Sequence, residues 1–179
     1  MPTQPRLVDD SESSLAELAV AARDSDAARE ALVRATRGEV RRFAVAFVGP
    51  DAADDVTQET FIRALASLHR YDPERPFFPW LITVAKHAAL DHLRAGRRRV
   101  ALLDRMRREP QAAAVWGAAG DVAELIRGLD PERRLAFVLT QVLGFEYAEA
   151  ARVARVPVGT IRSRVHRARS ELIAVLAEG

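Results

Sequence analysis

The sequence predicts an all-α fold: two small helical domains joined by a flexible linker. Three observations carry that expectation. Apolar residues recur at steps of three and four through most of the chain, and no alternating strand pattern of useful length appears. Gly and Pro punctuate the pattern at Gly49-Pro50, from Pro73 to Pro76, at Asp130-Pro131 and at Gly144. Residues 100–120 then lose the period, with Pro110, Gly117, Gly120 and many alanines. The expected division is a disordered N-terminus over 1–13, a first domain over 14–99, a linker over 100–120 and a second domain over 121–179.

In chain order, residues 1–13 mix Pro, Asp, Ser and Thr without periodicity, the composition of a disordered tail. From Ser14 to Gly49 the pattern is helical, with a break near Asp24 to Asp26. Leu32, Thr36, Val40, Phe43 and Phe47 align on one face, and Gly49-Pro50 stops the helix. Asp51 is the expected N-cap of the next helix, which runs to about Leu68 with Val56, Phe61, Leu65 and Leu68 inward. Tyr71 to Pro76 reads as a loop. A long helix follows from Phe78 to Arg98, burying Leu81, Ala85, Ala89 and Leu93 and presenting Thr83, His87, Asp91, Arg94 and Arg98 on the opposite face. The second block reads as helices over 121–128, 131–143, 146–155 and 158–177, with Asp130 as N-cap before Pro131 and Gly144 as a stop.

Composition excludes several classes of function. The 179 residues contain no cysteine, which rules out disulfides and thiolate metal sites, and the four histidines lack the paired spacing of a zinc site. No metal, cofactor or small-molecule substrate is expected. No apolar run approaches the roughly 20 residues that cross a bilayer, and the polar, acidic N-terminus does not read as a signal peptide. A cytoplasmic protein is expected. The net charge is only +2, but it is segregated. Between Ala150 and Ser170 stand six arginines and one histidine with no acid, and Lys86 to Arg99 holds five cations against Asp91 alone. Asp51, Asp54, Asp55 and Glu59 gather elsewhere. That separation predicts two nucleic-acid-facing surfaces and one surface for something else.

The sharpest local signal lies in the last 35 or so residues. A short helix, Tyr147 to Arg155, meets the tight connection Val156-Pro157-Val158-Gly159, and a second helix begins at Thr160, the expected N-cap. Two helices joined this way form a helix-turn-helix whose second helix enters the major groove. Ile161, Val165, Ala168, Leu172 and Leu176 would be buried, leaving Arg162, Ser163, His166 and Arg167 outward. Arg donates twice to guanine, Ser reads base or phosphate, and a helix N-terminus attracts phosphate. Arg164 and Arg169, nearer the edges, suit phosphate contact.

The run Asp54-Asp55-Val56-Thr57-Gln58-Glu59-Thr60-Phe61-Ile62-Arg63-Ala64 resembles region 2.2 of extracytoplasmic-function (ECF) sigma factors of the sigma-70 family. Tyr71 to Phe77, Trp80 to His87 and Asp91 to Arg94 are similar to regions 2.3 and 2.4, in order and at the right spacing. Pro157 to Arg164 with Arg167-Ala168-Arg169 is similar to region 4.2. The resemblance spans about residues 15–177 and implies an alternative sigma factor that directs RNA polymerase core to specific promoters, not an enzyme. It implies that Asp54, Asp55, Gln58, Glu59, Phe61 and Arg63 meet the β′ clamp helices, with the β flap as a further polymerase contact. Tyr71, Phe77, Phe78, Trp80, Thr83, Lys86, His87, Arg94, Arg97 and Arg98 would face the −10 element, with a flipped base held in the loop before the helix. Thr160, Arg162, Ser163, Arg164, His166, Arg167 and Arg169 would read the −35 element. It also implies an anti-sigma factor as partner, the sole route to membrane contact, and a change in domain orientation about residues 100–120.

Two departures stand out. Arg155 occupies a turn position where the family commonly has Gly, and Thr57 stands where an aliphatic residue is usual. Two other readings compete. A one-component regulator would explain residues 122–177 but not the ordered motifs of the first domain. A nucleic-acid enzyme would need Asp54, Asp55 and Glu59 as metal ligands, with no further acid or His placed to complete the site.

Overall fold

The computed structural model describes residues 9–107 and 122–178, all in helices, turns and short loops. α1 (Asp9–Ala21), α2 (Asp26–Val48), α3 (Pro50–Ser67) and α4 (Phe77–Arg107) form the first unit. α5 (Val122–Gly128), α6 (Pro131–Phe137), a π-helical turn (Val138–Val142), α7 (Tyr147–Ala154) and α8 (Val158–Glu178) form the second. The expected tail over 1–13 is partly helical, since α1 opens at Asp9; residues 1–8 lie outside the described residues. Leu15, Ala19 and Ala22 recur at helical spacing and are buried, which ties this helix to α2 and α4.

The break between α1 and α2 falls where the sequence places it. Ser25 Oγ accepts the Ala28 N–H at 3.3 Å as an N-cap. Arg29 reaches back to the carbonyls of Ala22 and Arg23 at 2.8 and 2.7 Å, satisfying orphan groups at the end of α1. Leu32, Thr36, Val40, Phe43 and Phe47 are all buried, and the rings of Phe43 and Phe47 stack at 5.4 Å.

The α2–α3 corner differs from the expectation at Asp51. Gly49 is the N-cap, at φ 98°, and Pro50 takes the first helical position, so Asp51 lies in the first turn. Proline suits that position because its missing N–H would have no intrahelical partner anyway. Glycine suits position 49 because its φ is left-handed; a Cβ there would stand 3.2 Å from Arg127 Cδ, so that side chain would have to shift slightly. Thr57, the residue where an aliphatic is usual, is buried, and its hydroxyl donates to the Ala53 carbonyl at 2.7 Å; Thr60 does the same to Val56. A buried hydroxyl with that bond costs little more than the methyl it replaces.

α4 runs on to Arg107, into the stretch read as linker from residue 100. Residues 99–107 contain neither Gly nor Pro, and the first strong breaker is Pro110. The remaining linker, 108–120, lies outside the described residues. In the second unit Asp130 caps as expected, accepting the N–H groups of Glu132 and Arg133, with Pro131 first in the helix. Gly144, at φ 70°, ends the π turn. α8 begins at Val158, two residues before the expected cap Thr160; the Pro157 carbonyl accepts the amides of Thr160 and Ile161. Ile161, Val165 and Ala168 are buried against α6 and α7, but Leu176 is 61% exposed, contrary to expectation, because α8 outruns the bundle.

Candidate nucleic-acid interface

α7, the turn Arg155 to Pro157 and α8 form the helix-turn-helix. A capping box starts α7: Glu149 accepts the Glu146 N–H at 3.0 Å while Glu146 caps in return. The turn hinges on Arg155, at φ 58° and ψ 48°, the one left-handed non-glycine among the described residues. A Cβ in that conformation costs about 1 kcal/mol, so Arg155→Gly is expected to stabilise the second unit by about 1 kcal/mol. Urea unfolding of the two chains checks this, and a less stable glycine variant would mean that Arg155 contributes a compensating contact.

On α8, Arg162, Ser163, His166 and Arg167 are exposed on one side, and no carboxylate pairs with them among the described residues. Thr160 is half-buried in the first turn. Arg164 and Arg169 are tied to their own unit, Arg164 to Glu132 and Arg169 to Gln141 Oε1 at 2.5 Å. The first set is therefore an exposed face without a paired carboxylate among the described residues. The second is anchored at the rim, and Gln141 comes from the π turn.

In the first unit the candidates divide into core and surface. Tyr71, Phe77 and Trp80 form an aromatic cluster with centroids 5.2 to 5.4 Å apart; Tyr71 and Phe77 are buried and Trp80 half-buried. The Tyr71 hydroxyl donates to the Arg75 carbonyl at 2.5 Å, closing the loop on itself, and Arg23 donates to the Tyr71 carbonyl at 2.6 Å. Burial, aided by Glu12, pushes the Tyr71 phenol up to about 12. The cluster thus shapes the loop from beneath. Thr83 is half-buried, with its hydroxyl on the Pro79 carbonyl; His87, Arg94, Arg97 and Arg98 are exposed along α4.

Phe78 and Lys86 are covered by the second unit. The ring of Phe78 meets Phe145 edge-on at 5.6 Å, and Lys86 Nζ donates to the Val153 carbonyl of α7 at 2.7 Å. The junction has a second anchor. Arg134 donates to the Phe47 carbonyl at 2.7 Å and stands 5.6 Å from the centre of the Phe47 ring. Burial, then Lys86 and Arg155, hold the His87 imidazole below its ordinary value, opposed by Asp91. The folded chain therefore favours neutral His87, so the unfolded chain binds more protons in that window and stability falls as pH drops through about 6.5. The thermal midpoint should decline between pH 7 and pH 5.5, and His87→Gln should flatten that part of the profile; an unchanged slope would remove His87 as its source.

Two of the four acids of α3, Asp54 and Glu59, are paired within the unit. Arg41 holds Asp54 at 2.8 Å, and Arg63 bridges Glu59 at 2.6 Å and Asp91 of α4 at 2.7 Å. Arg94 also reaches Asp91, at 3.1 Å. Arg63's hydrogen bonds hold the Asp91 carboxyl below its usual range. Asp55 and Gln58 are exposed and Phe61 is half-buried. Among the described residues no group of three His, Asp or Glu side chains could hold a metal ion, and no helix is long and apolar enough to cross a membrane. The Arg63 bridge and the Lys86 and Arg134 junction had no local sequence signal, because each joins residues 28 or more positions apart.

A family model described as Sigma-70 region 2 matches residues 32–99, and one described as Sigma-70, region 4, matches residues 119–172. The chain is 40% identical over 159 residues to the ECF RNA polymerase sigma factor SigC of Mycobacterium tuberculosis, covering 86% of both proteins. It is 35% identical over 146 residues to the ECF sigma factor EcfG of Rhodopseudomonas palustris, covering 76% of this chain and 78% of EcfG. Its fold is similar to that of CnrH solved with the cytosolic domain of CnrY, with TM-score 0.71 and 30% identity over 94% of this chain and 99% of CnrH. It is also similar to RpoE of Bartonella quintana solved with the anti-sigma factor NepR, with TM-score 0.69 and 25% identity over 83% of this chain and 96% of that one. With the matched regions falling in order on the two helical units, the chain belongs to the ECF sigma factors of the sigma-70 family.

Proposed function

We propose that the two units divide promoter recognition between them, with the exposed, acid-free face of α8 as the observation that carries the reading. Residues 122–178 would place α8 in the major groove of the −35 element. Arg162, Ser163, His166 and Arg167 face the bases, while Thr160, Arg164 and Arg169 stand where phosphates run. Residues 9–107 would bind the −10 element along α4, with Thr83, Lys86, His87, Arg94, Arg97 and Arg98 toward the strand and Phe78 and Trp80 near the loop. Tyr71 and Phe77 support that loop from the core. Asp55, Gln58 and Phe61, with the paired groups Asp54, Glu59 and Arg63, would form the docking face for RNA polymerase core. The second unit would meet the polymerase flap.

Polymerase performs the chemistry, and this chain supplies the address. It would act in the cytoplasm, where core polymerase and promoter DNA are, with no cofactor. Two neighbours were solved with CnrY or with an anti-sigma factor, which supports a protein partner of that class here. The test is run-off transcription with purified core polymerase on genomic promoter fragments. Discrete transcripts that require this protein support the reading. A specific duplex shift by the protein alone, with no transcript, would favour a one-component regulator instead.

A further inference from the structure

Three arginine ties join α6 and the π turn to α8, and one of them differs in kind. Arg164 of α8 meets the Glu132 carboxylate, and Arg133 of α6 reaches Glu171 Oε2 at 2.7 Å. Arg169 has no carboxylate partner among the described residues; its Nη2 donates to the amide oxygen of Gln141 at 2.5 Å. Each ion pair cancels a charge, whereas the amide holds a guanidinium and cancels nothing.

The amide is itself held. Gln141 Nε2 donates to Thr140 Oγ1 at 2.9 Å, and that hydroxyl donates to the Ala136 carbonyl at 2.8 Å. The single hydroxyl proton of Thr140 is committed to Ala136, so toward Gln141 it can only accept. That fixes the amide nitrogen on Thr140 and turns the amide oxygen outward to Arg169. Thr140 and Ala136 are buried, so three hydrogen bonds in series lead from a core carbonyl to an exposed arginine. The π turn anchors this relay. Leu143 donates to the Val138 carbonyl at 3.0 Å, the i→i+5 bond of such a turn, and Val138 and Leu139 are fully buried. Turns of this kind recur at functional sites.

We propose that Gln141 is a positioning residue for DNA: through this relay it presents Arg169, with its charge uncancelled, to the phosphate backbone beside α8. The role rests on the promoter reading above, which puts Arg169 where phosphates run, and Gln141 sets the direction of that side chain. The amide takes one N–H of the guanidinium and leaves the others for a phosphate, which accepts two at once from the planar fork. A side chain ordered beforehand also loses less freedom on binding. A carboxylate at 141 would hold the same rotamer but remove the charge that displaces counterions.

A double-mutant cycle between positions 141 and 169 of the full-length chain tests this, read as affinity and salt dependence of the polymerase complex on promoter duplex. Arg169→Ala should lower the log–log salt slope by about 0.9. Gln141→Glu should lower it by a similar amount with the arginine still present, and should add little in the Arg169→Ala chain. Gln141→Met keeps the length but not the acceptor. It should weaken binding about two- to tenfold at an unchanged slope, and only when Arg169 is present. Effects at 141 that are the same with and without Arg169 would overturn the role: the glutamate would then act by general repulsion, and the methionine by loosening the π turn. If Gln141→Met fails to fold, the glutamate arm decides alone. A wild-type complex with no transcript and no −35 preference would sink the promoter reading instead. The same cycle is then read on sequence-independent binding of the chain to duplex DNA, where coupled effects support the Gln141 role and uncoupled ones overturn it.

Discussion

Arg162→Ala with Arg167→Ala is expected to abolish promoter-specific transcripts while leaving the fold intact. Both guanidinium groups are exposed on α8 with no carboxylate pairing among the described residues, so their removal breaks no bond within the chain. Each, if bidentate to a guanine, contributes about 1–3 kcal/mol of discrimination, which is about fivefold to 150-fold in promoter affinity. Arg164→Ala provides the contrast. That side chain is tied to Glu132, an exposed carboxylate, so the change should weaken binding to all sequences alike and cost little stability. Binding of the polymerase complex to promoter duplexes with single substitutions in the −35 element separates the two effects. If the double variant retains the wild-type ranking of substituted promoters, α8 does not read bases through these arginines.

The helices were legible in the sequence because each one's apolar stripe is a local, periodic property. Leu32 to Phe47 and Leu81 to Ala89 are buried as the period requires. Ends were less legible where a competing rule won: Pro50 displaced Asp51 from the cap, and Pro157 displaced Thr160. The period also continues past its partner, as at Leu176, where the residue type is right for burial and nothing packs on it in the described chain. At Thr57 and Arg155 the sequence shows a departure without its resolution; the hydroxyl turns onto a carbonyl in one case, and the backbone accepts strain in the other. The candidate interface followed the same divide. Arg162 and Arg167 lie where helical geometry puts them, but Phe78 and Lys86 lie under the second unit. A contact between residues 67 apart leaves no mark on local pattern.

Phe47→Ala carries the largest expected loss of stability, about 3–5 kcal/mol, as for a large aromatic removed from a closed core. The ring is 0% exposed and stacks on Phe43 at an interplanar angle of 11°. Its other neighbour is the Arg134 guanidinium, whose binding to the second unit's own Leu129 carbonyl at 3.1 Å keeps it in place over the ring. Phe43→Ala removes the same stack and a ring of equal size but does not touch Arg134. Phe47→Ala should therefore cost about 0.5–2 kcal/mol more than Phe43→Ala in urea unfolding, the worth of the cation contact. Phe47→Leu refines the comparison, since it keeps most of the buried volume at a cost of less than about 1.5 kcal/mol yet removes the π face that the cation uses. A loss in the Leu variant beyond that figure would assign the excess to the cation contact and not to a loosened core. Equal losses in the two Ala variants would mean that the Phe47 ring serves the first unit only, and that Arg134 binds across the junction through the backbone carbonyl.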